Sequence, residues 1–174
     1  MEQVTKGDAK AVFEAFGGGG WMIRLNAGTM EGAPAQFMAD GPVRISPMPA
    51  YDGKHYCERD WHVISVAIVE GNVDGQSLTN SEIRDRIAGR HVTFTLDGAP
   101  LEADRTSPRR MHNPQHRNFV EAFYVQEGRI MAPEELAAGT HVLEAVGNRD
   151  GQPPQLIGSI NFTIDPPGTG VCLA

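Results

Sequence analysis

The sequence has no long apolar run. Its longest, residues 63–69, is interrupted by Ser65 and falls far short of the roughly 18 residues a membrane-crossing helix needs. It has only two cysteines, Cys57 and Cys172, and no Cys-x-x-Cys, which excludes thioredoxin-type chemistry and paired-knuckle zinc sites. Lysine is confined to Lys6, Lys10 and Lys54, and the formal charge is −7. Nucleic acid and anionic membranes repel an acidic chain, so neither is an expected partner. No Gly-x-Ser-x-Gly, His-Glu-x-x-His, phosphate-loop or Gly-x-Gly-x-x-Gly motif is present, so no enzyme class announces itself. The run from Gly17 to Gly20 is followed by no Gly-Lys-Ser/Thr and reads as a joint between segments. The chain opens on no basic stretch leading into an apolar one, so no signal peptide is visible. Sparse lysine and Gly/Asn-rich turns nevertheless lean toward an extracellular or periplasmic setting.

What is present describes one globular domain. The chain has 174 residues, 40% apolar and 21% charged, with 20 glycines and 12 prolines. That composition excludes coiled coils, collagens and disordered tails, and predicts many short strands joined by turns. Residues 8–16 suit a short helix, with Asp8 as cap and Val12, Phe13 and Phe16 on one face. Residues 36–39 and 43–46 flank Asp40-Gly41-Pro42 as a hairpin. Residues 61–70 read as a buried strand, then Thr79 and Glu82 form a capping box. Ile83 and Ile87 share the face of the helix that follows, and Gly89 stops it. Residues 91–96, 121–126, 140–146 and 158–164 read as strands, and Pro133-Glu134-Glu135-Leu136 as one helical turn closed by Gly139. The segment from Pro166 onward is rich in proline and glycine and reads as a tail on the surface.

A short motif occurs twice. Gly71-Asn72-Val73-Asp74-Gly75-Gln76 matches Gly147-Asn148-Arg149-Asp150-Gly151-Gln152, and each copy follows an apolar strand and precedes another. In a sandwich with internal two-fold symmetry this echo would make 61–70 with 91–96 one strand pair and 140–146 with 158–164 the other. The segment Leu136-Ala137-Ala138-Gly139-Thr140-His141-Val142-Leu143 resembles the entry to the penultimate strand of bacterial immunoglobulin-like and fibronectin III-like domains, with His141 where many carry a corner tyrosine. The resemblance covers roughly residues 58–165. It implies an all-β fold: an antiparallel immunoglobulin-like β-sandwich with an extra N-terminal hairpin and one or two short helices. Residues 1–50 would form a helix-and-hairpin extension packed on the sandwich, 51–165 the sandwich, and 166–174 the tail. The family implies a binding or spacer module, and no functional residue carries over from it.

Four groups of residues are candidates for chemistry. Asn72, Asp74, Asn148 and Asp150 offer oxygen ligands on glycine-rich turns, the donor type calcium takes, although Asn-x-Asp-Gly also simply makes good turns. His55, Cys57, Asp60 and His62 are the densest set of zinc-ligand types; a bend near Glu58-Arg59 would have to bring them to one side. Tyr51, Tyr56 and Trp61 are close enough to form a sugar-stacking face, or to pack in the core. Arg105, Arg109, Arg110, His112 and His116 form a basic stretch suited to a small anion or to pairing with nearby carboxylates. The two cysteines either pair, contributing about 4–5 kcal/mol in the chain-entropy view, or remain separate buried thiols. The leading expectation is a non-catalytic extracellular binding or assembly module with a protein or carbohydrate ligand. The alternatives are a metal protein or small metal-dependent enzyme centred on His55 to His62, and a carbohydrate-binding module using the aromatics of 51–61.

Overall fold

A computed structural model describes residues 43–73, 75–111 and 121–173. The expected helix at 8–16, the first hairpin strand at 36–39, Asp74, His112 and His116 lie outside them.

The chain forms β1 (Val43–Ile45), a 3-10 turn (Pro49–Tyr51), β2 (Lys54–Cys57), β3 (His62–Asn72), α1 (Asn80–Ala88), β4 (Arg90–Leu96), β5 (Ala99–Leu101), β6 (Asp104–Arg105), β7 (Arg109–Arg110), β8 (Glu121–Met131), β9 (Gly139–Arg149) and β10 (Gln155–Asp165). Two five-stranded sheets result. One has the order β1-β3-β8-β6, with β7 also on β8; the other has the order β2-β10-β9-β4-β5. One core lies between them. Ile64, Val66, Ile68, Phe123, Val125 and Met131 fill it from the first sheet, and Val92, Phe94, Leu143, Ile160, Phe162 and Ile164 from the second. Alternation does this: along β3 and β8 every second residue faces inward.

The expected all-antiparallel sandwich is corrected to two mixed sheets. β1 runs parallel to β3, and β2 parallel to β10. The cause is a strand that changes sheets. The chain leaves β1 after Ile45, crosses through the 3-10 turn, and joins the edge of the other sheet as β2. It reaches each neighbour without a hairpin, so nothing forces an antiparallel pairing. The crossing is close: a Cβ on Gly158 would run into the Pro47 carbonyl oxygen. The strand Val43–Ile45, expected in an extension outside the sandwich, is itself part of the first sheet.

The repeated hexapeptide does not mark a repeated strand pair. The second copy closes the β9–β10 hairpin, whereas the first copy feeds a crossover through α1, so that β3 and β4 lie in opposite sheets. β3 pairs instead with β8 along its full length, and β4 with β9. Hexapeptides alike at five of six positions can therefore serve different connections, because sheet partners are chosen by the faces the strands bury.

α1 follows its capping box. Thr79 Oγ1 accepts the Glu82 N–H at 3.2 Å, and the Glu82 carboxylate accepts the Thr79 N–H at 2.7 Å. Ile83 and Ile87 are fully buried. Gly89 ends the helix for a reason of space: its φ is −82°, but a Cβ there would come within 2.9 Å of the Asp150 carboxylate. The expected helical turn at 133–136 is instead a reverse turn, with Glu134 at φ +68°. Glu135 there accepts the Ala132 N–H at 2.9 Å and pairs with Arg129. Asp97-Gly98, both at positive φ, make a two-residue hairpin turn between β4 and β5. Leu101 at the end of β5 and Arg105 in β6 belong to different sheets.

Candidate functional site

Because β1 leaves early, the two sheets part along one side. β1 pairs with β3 only as far as Ile64, and β2 pairs with β10 only from Phe162 onward. Beyond these points a cleft of about 560 Å³ opens between β3 and β10, backed by β4 and β9. Val66, Ile68, Val92 and Ile157 give it apolar walls. Arg90, His91, Asn148, Arg149, Gln152 and Gln155 supply its polar lining. Among the described residues lining it there is no carboxylate, in a chain whose formal charge is −7.

The cleft's basic side chains Arg90 and His91 are held from behind. Glu127, 4% exposed on the inner face of β8, accepts the Val92 N–H and pairs with Arg105 and, at 3.1 Å, with His91 Nδ1. Arg105 also donates to the carbonyls of Arg90 and Ile87, each at 2.7 Å, so it caps the last turn of α1. Arg90 pairs with Glu70 at 2.5 Å and donates to the Val69 carbonyl at 3.3 Å. These bonds join β8 of one sheet to β4 of the other. The sequence reading missed Arg90, His91 and Glu127. The one available signal was a lone Glu inside the apolar strand 121–131, since a buried acid needs partners.

The zinc-type residues separate. A turn at 58–60 does bend the chain, but it sends β2 and β3 into different sheets. Cys57 forms a disulfide with Cys172, with Cα atoms 4.6 Å apart, which leaves no thiolate at that position. His55 is exposed and lies 3.0 Å from Asp165. His62 is 1% exposed and faces the core, edge-on to Tyr56 at 6.0 Å between ring centroids. Neither of its ring nitrogens has a partner among the described residues. Burial lowers its pKa to about 4. No three His, Cys, Asp or Glu side chains among the described residues converge where a metal ion would sit.

Of the calcium-type residues, Asn72 and Asn148 spend their side-chain amides on bonds within the fold. Asn72 donates to the Leu78 carbonyl and accepts the Leu78 N–H, both at 2.8 Å, while Asn148 donates to Thr93 at 3.2 Å. The Asp150 N–H donates to the Gly89 carbonyl. Of the aromatic group, Tyr56 and Trp61 are buried and Tyr51 is half-buried beneath Lys54. Two of the three rings thus lie inside the protein, not on a face where a sugar would stack. In the basic stretch Arg105 pairs with Glu127, and Arg110 with Glu121 at 3.0 Å.

Asp165 anchors the tail. Hydrogen bonds from the Val171 N–H and from His55 hold its carboxyl below the usual aspartate range. With the disulfide, they fix residues 166–173 against β10 and β2. His141 bonds Asp97 and the Ala137 carbonyl, both at 2.7 Å, and stacks on Phe162 at 5.4 Å, closing the start of β9. No helix among the described residues is long and apolar enough to cross a membrane.

No protein-family model matches the chain, and no curated protein matches it in sequence. Among solved structures it is similar to a cysteine protease inhibitor from Entamoeba histolytica, at 12% identity over 70% of this chain and 94% of that one, with a TM-score of 0.31.

Proposed function

We propose that this protein is a non-catalytic binding module of immunoglobulin-like topology whose ligand enters the cleft between β3 and β10. The topology reading rests on the strand order of the two sheets and on the edge strand that serves first one sheet and then the other. The binding reading rests on the cleft. It has the size and make-up of a ligand site, with apolar walls and a few directed polar groups. The interlocked Glu127, Arg105 and Arg90 hold its rim in place without any ligand, so little ordering is required on binding. The disulfide supports residence in an oxidising compartment, where such a bond persists.

The test is a comparison of the full-length protein with an Asn148→Trp variant, which plugs the cleft from its polar side, on peptide and glycan arrays. Ligands should bind the unaltered protein and lose at least tenfold in affinity on the variant. Ligands indifferent to the plug, or none at all, would refute the cleft as the binding site.

A further inference from the structure

Among the described residues, the departure of β1 leaves β3 with an edge unpaired toward the cleft. The Val43 N–H donates to the Trp61 carbonyl, so the odd-numbered residues of β3 turn their backbone groups toward the β1 side. The pairing with β8 uses the opposite side throughout. Beyond Ile64, the last partner of β1 on β3, Ala67 presents its N–H and C=O and Val69 its N–H on a line with no strand beside it among the described residues. From Ser65 to Val69 this edge is about five residues long, roughly 17 Å at strand spacing. The bonding at one point already shows what it accepts: the Arg90 guanidinium donates to the Val69 carbonyl, where the N–H of a neighbouring strand would come. Ala67 and Val69 also line the cleft itself.

We infer that the ligand is an extended, acidic polypeptide segment that adds to the free edge of β3 as a further strand. This inference rests on the cleft being the binding site. Backbone pairing would provide affinity along the edge, and alternate side chains would point into the cleft. The charge of the lining selects among peptides. Arg90, His91 and Arg149 line the cleft; Glu70 and Glu127 pair with the first two from behind, so Arg149 is the basic lining side chain with no carboxylate beside it among the described residues. Arg149 stands exposed on the rim, one residue from Asn148, where it meets an Asp or Glu side chain of the incoming strand. Each unpaired edge is a template for such addition, and the cleft confines it to one place.

The experiment starts with the full-length protein alone. Amide hydrogen exchange of Ala67 and Val69 should be fast. Protection at all concentrations would mean that the chain covers its own edge, and protection that grows with concentration would mean a second copy does; either overturns the inference. Peptides selected from a random linear library are then mapped by amide shift changes and exchange. Selected peptides should carry Asp or Glu at alternate positions, slow exchange at those two amides, and lose at least tenfold in affinity against Arg149→Glu. Methylating the peptide's β3-facing backbone nitrogens should abolish binding, while methylating the alternate ones should not. This control lies in the ligand, so it is independent of any folding defect in a variant. Peptides that occupy the cleft without protecting the two amides, or that are basic, overturn this inference and leave the cleft as a binding site. Failure of any peptide to reach the cleft overturns both.

Discussion

A histidine buried without hydrogen bonds should make the protein sensitive to mild acid. His62 faces the core beside Tyr56, whose own hydroxyl is pushed up to about 12, by burial first and then by Tyr51. The imidazole titrates near 6.5 in the unfolded chain and at about 4 in the folded one. Between those values the unfolded chain holds a proton that the folded chain refuses, so stability rises with pH across the window. The full stability is present above about pH 6.5 and is lost as the pH falls toward 4. At 1.36 kcal/mol per pH unit, the loss from this one residue reaches about 3 kcal/mol at pH 4. The carboxylates with lowered values, Asp97, Asp165 and Glu82, contribute stability that is present above their unfolded values and lost on further acidification. They are common to any His62 variant and cancel in a difference. The assay is urea unfolding of the protein and of His62→Phe at several pH values from 7 to 4. A Phe ring retains the edge contact with Tyr56 and leaves no buried nitrogen without a partner, so the variant should be at least as stable at neutral pH, with about 3 kcal/mol less pH dependence. Parallel curves for the two proteins would refute this account of His62.

Three further outcomes follow from the same geometry. Glu127→Ala leaves Arg105 facing an emptied site and should cost about 3 kcal/mol in chemical unfolding, whereas Glu127→Gln, which can still accept the Val92 N–H, should cost less. Reduction should add two hydrogens to the mass, free the tail, and lower stability by about 4–5 kcal/mol, as the bond spans 115 positions; no change on reduction would show that the cysteines were not paired. Thr79→Ala removes the cap of α1 and should cost about 1 kcal/mol, while Thr79→Ser should be nearly neutral by thermal unfolding.

Local patterns were legible in the chain. The capping box at Thr79 and Glu82, the inward Ile83 and Ile87, and the strands of 61–70, 91–96, 140–146 and 158–164 all depend on residues within a few positions of one another. So does a mostly-β fold, since turn residues and alternating apolar positions recur along the chain. Errors arose where neighbours in sequence part in space. His55 and His62 are seven positions apart, yet a turn sends one to the surface of one sheet and the other into the core beneath the opposite sheet. Tyr56 and Trp61 went inward for the same reason.

By itself, the sequence determined the strands around 61–70, 91–96, 121–126, 140–146 and 158–164 and the helix at Asn80–Ala88, because periodicity and capping act over one or two turns of chain. The tertiary structure alone decided which strands lie side by side, that Cys57 meets Cys172, and that Glu127, Arg105, Arg90 and His91 meet behind a cleft. Those contacts join segments far apart in sequence, and they form only where the early exit of β1 holds the sheets apart on one side and the shared core holds them together on the other.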